Sequence, residues 1–246
     1  MGSCYAKKFV SICKSQWNYQ CGDNKWNKYA DDLDRVDYFT GCGKKQNLDF
    51  CAIGLCWAMW KSVIDPDCET DPEAAKWAAH YFMYQSDSCD MAAVVKYLYQ
   101  YFADNNAITD NPERGDIVIF QKSNGIMYHC GAVTDWNWDD DVIEVTEFNT
   151  GGGQVLPRYY SFKDIGGKIK CFGRPRYDGW EISEKPSEPS QETPATDYSE
   201  IIDRLAHEVI EGKYGNYPLR KQRINALGYG VIYGYVQKRV NELLYG

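Results

Sequence analysis

The period of the apolar positions changes from helical to strand-like within the first 180 residues of this chain. Residues 7–16 place Phe9, Val10, Ile12 and Cys13 at helical spacing. Residues 51–64 (CAIGLCWAMWKSVI) are apolar nearly all round, which predicts a buried helix stopped by Pro66. Residues 73–85 and 91–102 read as two more helices, while the polar, Trp-rich stretch from 17 to 43 predicts no regular element. After Asn111-Pro112-Glu113-Arg114-Gly115 the pattern turns to β-rich segments at 116–121, 127–134, 142–149 and 169–173, separated by turn residues. Helices first and an antiparallel sheet after them predict an α+β fold.

Residues 182–197 (ISEKPSEPSQETPATD) break this pattern, with three prolines and Ile182 as the single large apolar residue. Such a stretch buries too little surface to offset its ordering entropy, so a solvated linker is expected at 181–197. It divides a domain at 1–180 from a small one at 198–246. In the latter, Ile201, Ile202, Leu205, Ala206, Val209 and Ile210 form one stripe ended by Gly212. A short helix at 218–227 and a third from 232, carrying Val236, Val240, Leu243 and Leu244, complete a predicted three-helix bundle. That is near the lower size limit for independent stability.

Charge narrows the partners. Residues 198–246 hold seven Lys/Arg against five Asp/Glu, a balance of +2, so the rest carries −10 of the overall −8. An acidic body argues against nucleic acid as its ligand. No run approaches the roughly 18 to 20 apolar residues of a membrane span. Met1 to Lys8 is not followed by an apolar signal-peptide core, so a chain kept in a cytoplasm until released is expected. The ten cysteines contain no CxxC pair, which argues against a common zinc site and for packed, reduced thiols.

One of those thiols is placed for chemistry. Cys51 opens the buried helix, where exposed N–H groups favour thiolate over thiol, whereas Cys56 lies a turn inside it. A thiolate nucleophile needs a proton partner. Of three histidines, His80 lies in an aromatic helix and His207 in the small domain, leaving His129 in a predicted strand. In the next strand, alternation puts Ile143, Val145, Glu147 and Asn149 on one face. A hairpin turning over residues 135–141, with Thr134 paired to Val142, brings Glu147 opposite or next to His129, so the ring acquires a carboxylate to orient it.

Phe50-Cys51-Ala52-Ile53-Gly54-Leu55-Cys56-Trp57 resembles the W-C-A-x-F-V-x-W-C helix start of the CHAP family of peptidoglycan hydrolases. Pro112 to Phe120 resembles that family's P-x-x-G-D-I-x-F strand, Tyr128 to Val133 its S-H-V-G-I-V strand, and Glu147-Phe148-Asn149-Thr150 its E-G-N-T element. The resemblance covers roughly residues 5–178 and implies a papain-like fold. It makes Cys51 the nucleophile, His129 the general base and acid, Glu147 the orienter, and Asn149 a polar helper for the ring or the oxyanion. Phe50 and Gly54 depart from the pattern. The related NlpC/P60 family is the second reading, since its D-C-S-G start is absent.

The small domain has two readings on physics alone, a helix-turn-helix using Arg220, Lys221 and Arg223, or a solvated charged face. Leu205 to Asn216, however, resembles the cell-wall-binding repeat of the Cpl-seven (CW-seven) type, A-x-E-V-I-x-G-K-W-G-N-G. That resemblance implies a muropeptide ligand contacted by Lys213, Tyr214, Gly215, Asn216 and Arg220. Together the two resemblances imply a phage-type endolysin acting on Gram-positive-type walls, held in the host cytoplasm until a holin lesion releases it. It would cut a stem or cross-bridge peptide bond or the N-acetylmuramoyl-L-alanine amide. A wall-binding protein without catalysis is the other class. No cofactor is implied. Some CHAP lysins bind Ca²⁺, but Asp31-Asp32-Leu33-Asp34 and Asp139-Asp140-Asp141 follow no EF-hand pattern and read as exposed helix-start or turn acids.

Overall fold

A computed structural model describes residues 4–64, 71–86, 88–177 and 199–215, with 220, 223–224, 236, 239–240 and 242–244. The chain divides into two compact units, Met1–Ile182 and Ser183–Gly246. The expected linker, Pro66, Asn216 and most of the second and third helices of the small unit lie outside the described residues.

The first unit is α+β. Five helices, α1 (Cys4–Ser15), α2 (Lys28–Arg35), α3 (Cys51–Val63), α4 (Pro72–Phe82) and α5 (Val95–Asp104), precede the sheet. Its strands are β1 (Ile108–Thr109), β2 (Ile117–Gln121), β3 (Met127–Asn137), β4 (Val142–Thr150), β5 (Gln154–Tyr160) and β6 (Ile169–Gly173). All pairings are antiparallel, in the order β1-β6-β2-β3-β4-β5. Period-two alternation sorts the sheet's side chains. Ile117, Ile119, Cys130, Ala132 and Phe148 join the helices in the main core, whereas Val118, Phe120, Val133, Ile143 and Val145 form a second cluster.

Helix α3 is the spine of this unit. Every residue of it except Lys61 is buried. Gly54 lets it approach β4 closely, because a Cβ there would stand 2.2 Å from Phe148 Cδ1. The departure from a bulky residue at position 54 is therefore compensated by the ring of Phe148.

Three elements escaped the periodicity, the two-residue β1 among them. Helix α2 lies inside the stretch read as irregular; Asn27 caps it by accepting the Ala30 N–H at 2.9 Å, and only Tyr29, Ala30 and Leu33 are buried. Its acids are engaged within the protein: Asp31 pairs with Arg35, Asp32 accepts the Trp57 indole N–H at 2.9 Å, and Asp34 accepts the Lys45 N–H at 2.8 Å. In the β3–β4 turn Asp140 accepts Asn137, and Asp141 accepts the Ser161 hydroxyl and the Phe162 N–H. Strand β5 contains Pro157, which an edge strand tolerates because one side of its backbone has no ladder partner.

In the second unit α6 (Ser199–Ile210) presents Leu205, Ala206 and Val209 to a small core with Ile224, Val236 and Val240.

Candidate active site

The register of the β3–β4 hairpin differs from the expected one. Asn137, not Thr134, pairs with Val142, because β3 runs on to Asn137 before the turn. A bulge between Val133 and Asp135 takes back one residue, giving Ala132↔Thr146. The net slip is two residues, and an even slip leaves each side chain on its face. Gly131 lies beside Glu147, where a Cβ would stand 3.3 Å from Glu147 Cγ and 2.5 Å from Val145 Cγ1. His129, the next residue on that face, reaches Glu147 diagonally.

His129 Nε2 lies 2.9 Å from Glu147 Oε2. Tyr160, on β5, donates its hydroxyl to the other carboxylate oxygen. Phe120 stacks on the imidazole at 5.7 Å and 25°. The ring is thus fixed by a carboxylate at Nε2 and an aromatic face, and Cys51 acts on its charge. Three side chains from α3, β3 and β4 therefore converge.

Their charges reinforce one another. The thiol of Cys130 hydrogen-bonds to Cys51 and lowers its pKa against the effect of burial; His129 and the Ala52 N–H act in the same direction, leaving Cys51 well below the ordinary thiol range. Burial alone would lower His129, but its hydrogen bonds and charge interactions with Cys51 and Glu147 prevail and raise it to about 9. Burial pushes Glu147 up, yet His129, Tyr160 and Thr150 outweigh it and hold the carboxyl below its usual value. These shifts all run in the direction that favours a thiolate beside an imidazolium, with the carboxylate against the ring.

The start of α3 is open to an anion. Its N-cap residue, Phe50, supplies no side-chain hydrogen bond, so the first-turn N–H groups are uncapped. Of the two roles expected of Asn149, orienting the ring or serving the oxyanion, the first is not seen: its amide donates to Asp49 Oδ1 at 3.1 Å. Asp49 also pairs with Lys25 at 2.6 Å and, with His129, forms a polar wall before the helix. Asp49, Lys25, Cys130 and Tyr160 were not assigned roles from sequence. Asp49, two positions before the nucleophile, carried a signal; Tyr160, beyond a proline in an unrecognised strand, carried none.

Two clefts, of about 660 and 430 Å³, lie where Arg114, Asp135 and Trp136 line the other end of β3. Trp136 is seven residues from His129, about 23 Å along a strand. Two of their basic groups are paired, Lys14 with Glu144 and Arg114 with Asp135. Neither cleft is lined by Cys51, His129 or Glu147.

In the small unit Glu208 gathers the proposed contact residues. It accepts from the Tyr214 hydroxyl at 2.5 Å and pairs with Lys213 at 3.1 Å. Arg220 donates to the Gly215 carbonyl at 3.0 Å, while Gly215 adopts a left-handed φ of 67°. Lys213, Tyr214 and Gly215 thus form a turn after α6, which the helical Arg220 meets at the Gly215 carbonyl; Asn216 lies outside the described residues.

The first unit is an α+β body with a Cys–His–Glu constellation at a helix start. Residues 203–244 match the CW_7 repeat, so the second unit carries a cell-wall-binding repeat of that family. No curated protein and no solved structure matches the chain. Among the described residues no helix is long and apolar enough to cross a membrane.

Proposed function

We propose that the first unit is a papain-like cysteine hydrolase of the CHAP type, and that the chain is an endolysin-type enzyme cutting an amide bond in the peptide part of peptidoglycan. The observation that carries this reading is the His129–Glu147 hydrogen bond, with Cys51 acting on the same imidazole from an uncapped helix start. The CW_7 repeat supplies the substrate class, because a hydrolase tethered to a wall-binding unit meets its polymer at raised effective concentration.

The Cys51 thiolate attacks the carbonyl carbon of a stem, cross-bridge or lactyl amide. The N–H groups of the first turn of α3 receive the developing oxyanion. His129, charged at neutral pH, gives its proton to the leaving amine. It then takes a proton from water, whose oxygen attacks the acyl-enzyme, and the carboxylate product departs as the thiolate is restored. Glu147 holds the ring through both transfers. Muropeptide is the proposed ligand of the loop at Lys213–Arg220. Release from a host cytoplasm through a holin lesion is the proposed route to the wall.

Loss of turbidity of purified Gram-positive walls tests this reading. Cys51→Ala and His129→Ala are each expected to abolish it while the proteins still sediment with the walls. Full lysis by Cys51→Ala would end the catalytic assignment, and a parent chain that binds walls without lysing them would favour a purely wall-binding protein.

A further inference from the structure

The segment at 40–42, after α2, meets the segment at 88–90, between α4 and α5. The Asp90 N–H donates to the Thr40 carbonyl at 3.0 Å. Gly41 takes a left-handed φ of 74°, and a Cβ there would stand 3.1 Å from the Ser88 carbonyl oxygen and 3.8 Å from the Cys89 Cα. This close approach of two backbones sets Cys42 beside Cys89, with their Sγ atoms 3.4 Å apart. Both cysteines are anchored from behind. The Lys45 ammonium donates to the Cys42 carbonyl, and the Tyr101 hydroxyl donates to the Cys89 carbonyl at 3.3 Å. The fold therefore holds together two sulfurs that lie 47 residues apart in the chain. Cys13, Cys51, Cys56, Cys130 and Cys171 are buried, whereas Cys42 is half-buried and Cys89 is exposed.

We infer that Cys42 and Cys89 are a redox modification site: a small-molecule disulfide of the glutathione class oxidises the pair to an intramolecular disulfide that closes the loop carrying α3 and α4. At 3.4 Å the sulfurs are already in contact, and side-chain rotation covers the remaining approach to a bond of about 2.05 Å. The exposed Cys89 meets the oxidant first. Its sulfur attacks one sulfur of the oxidised glutathione, whose S–S bond breaks, and one glutathione leaves carrying the Cys89 proton. The Cys42 sulfur then attacks the Cys89 sulfur, the mixed disulfide breaks, and the second glutathione leaves with the Cys42 proton. Two electrons have passed from the pair to the oxidant. Where glutathione is kept reduced, the pair stays a dithiol, and burial and then the Cys89 thiol push Cys42 up to about 11.

The bridge spans both α3 (Cys51–Val63) and α4 (Pro72–Phe82). A cross-link over so long a loop takes conformational freedom chiefly from the unfolded chain, so the oxidised first unit is the more stable form. Nothing in this inference rests on Cys51 being a nucleophile.

The test uses the full-length chain, reduced with dithiothreitol, desalted and incubated with oxidised glutathione. Remaining thiols are alkylated, and the chain is digested and mapped by mass spectrometry without reduction. Peptides joined through Cys42 and Cys89 are expected as the main internal link. The Tm of the oxidised chain is expected to rise by about 5 °C or more and to fall back on adding dithiothreitol. Cys89→Ser loses both the link and the rise, while any glutathione taken up by other thiols is common to variant and parent. In Cys42→Ser, glutathione remains on Cys89 as the unresolved mixed disulfide. The link itself is read on the unmodified chain, so a variant that fails to fold leaves the test intact. Alkylation of both positions after oxidation, a lasting glutathione adduct on Cys89 of the parent, or a link with no rise in Tm overturns the inference.

Discussion

Glu147 Oε2 stands 2.9 Å from His129 Nε2, and the carboxylate's second oxygen is taken by the Tyr160 hydroxyl. Against burial, which lowers it, Cys51 and then Glu147 stabilise the imidazolium and raise its pKa to about 9. Activity is therefore expected to fall as pH rises through about 9, where His129 loses the proton destined for the leaving amine. Glu147→Gln removes the charge and moves that alkaline limb to lower pH. It also lowers kcat by roughly 10²-fold or more, as expected when a catalytic histidine loses its orienting carboxylate. A pH–rate profile on soluble muropeptide fragments checks both effects.

Gly54 and Phe148 are a matched pair. A Cβ at position 54 meets the ring at 2.2 Å, so Gly54→Ala must displace Phe148 or α3. Destabilisation of about 1–3 kcal/mol is expected from such overpacking. Urea denaturation measures it, and Phe148→Leu in the same chain is expected to recover part of the loss.

The two members of a buried His–Asp pair away from the site offset one another in their effect on acid stability. Asp90 Oδ2 lies 3.3 Å from His80 Nε2; burial raises Asp90 to about 7 and lowers His80 to about 3. The folded chain thus holds its proton on Asp90, whereas the unfolded chain holds it on His80. Between about pH 4 and 6.5 both states bind equally many, so this pair contributes no slope to stability. Asp90→Asn leaves His80 alone. Because a depressed histidine withholds a proton that the unfolded state binds, the variant is expected to lose stability on acidification from 6.5 toward 4. The loss is roughly 1.4 kcal/mol for each unit of pH. Denaturation midpoints at several pH values check it; parallel curves for parent and variant contradict it.

The loop after α6 depends on Glu208, which draws in Tyr214 and Lys213. Glu208→Gln removes the charge and weakens both contacts. The full-length variant is expected to sediment less with purified walls while hydrolysing soluble fragments at the parent rate.

Much of this arrangement was legible in the sequence. The apolar run from 51 fixed α3 and put Cys51 at its start, and alternation along 142–149 put Glu147 on the face of His129. That assignment survived a register error because the slip was even. Alternation carries faces, whereas register is set by where the turn begins and where a bulge lies, and neither leaves a period. Helix α2 escaped because three buried residues in eight make a weak stripe, and β5 because Pro157 masks an edge strand. Tyr160 was lost with it. Asn149 was expected at the ring or the oxyanion; its left-handed backbone, φ 57°, accompanies an amide that donates to Asp49.

The central claim is that the Cys51 sulfur breaks amide bonds in the wall. Counting new free amino groups released from purified peptidoglycan, with mass spectrometry of the fragments, tests it directly. The parent chain is expected to generate new N-termini at a single kind of bond, and Cys51→Ala to generate none while binding the wall equally well. Release by Cys51→Ala at the parent rate would contradict the account.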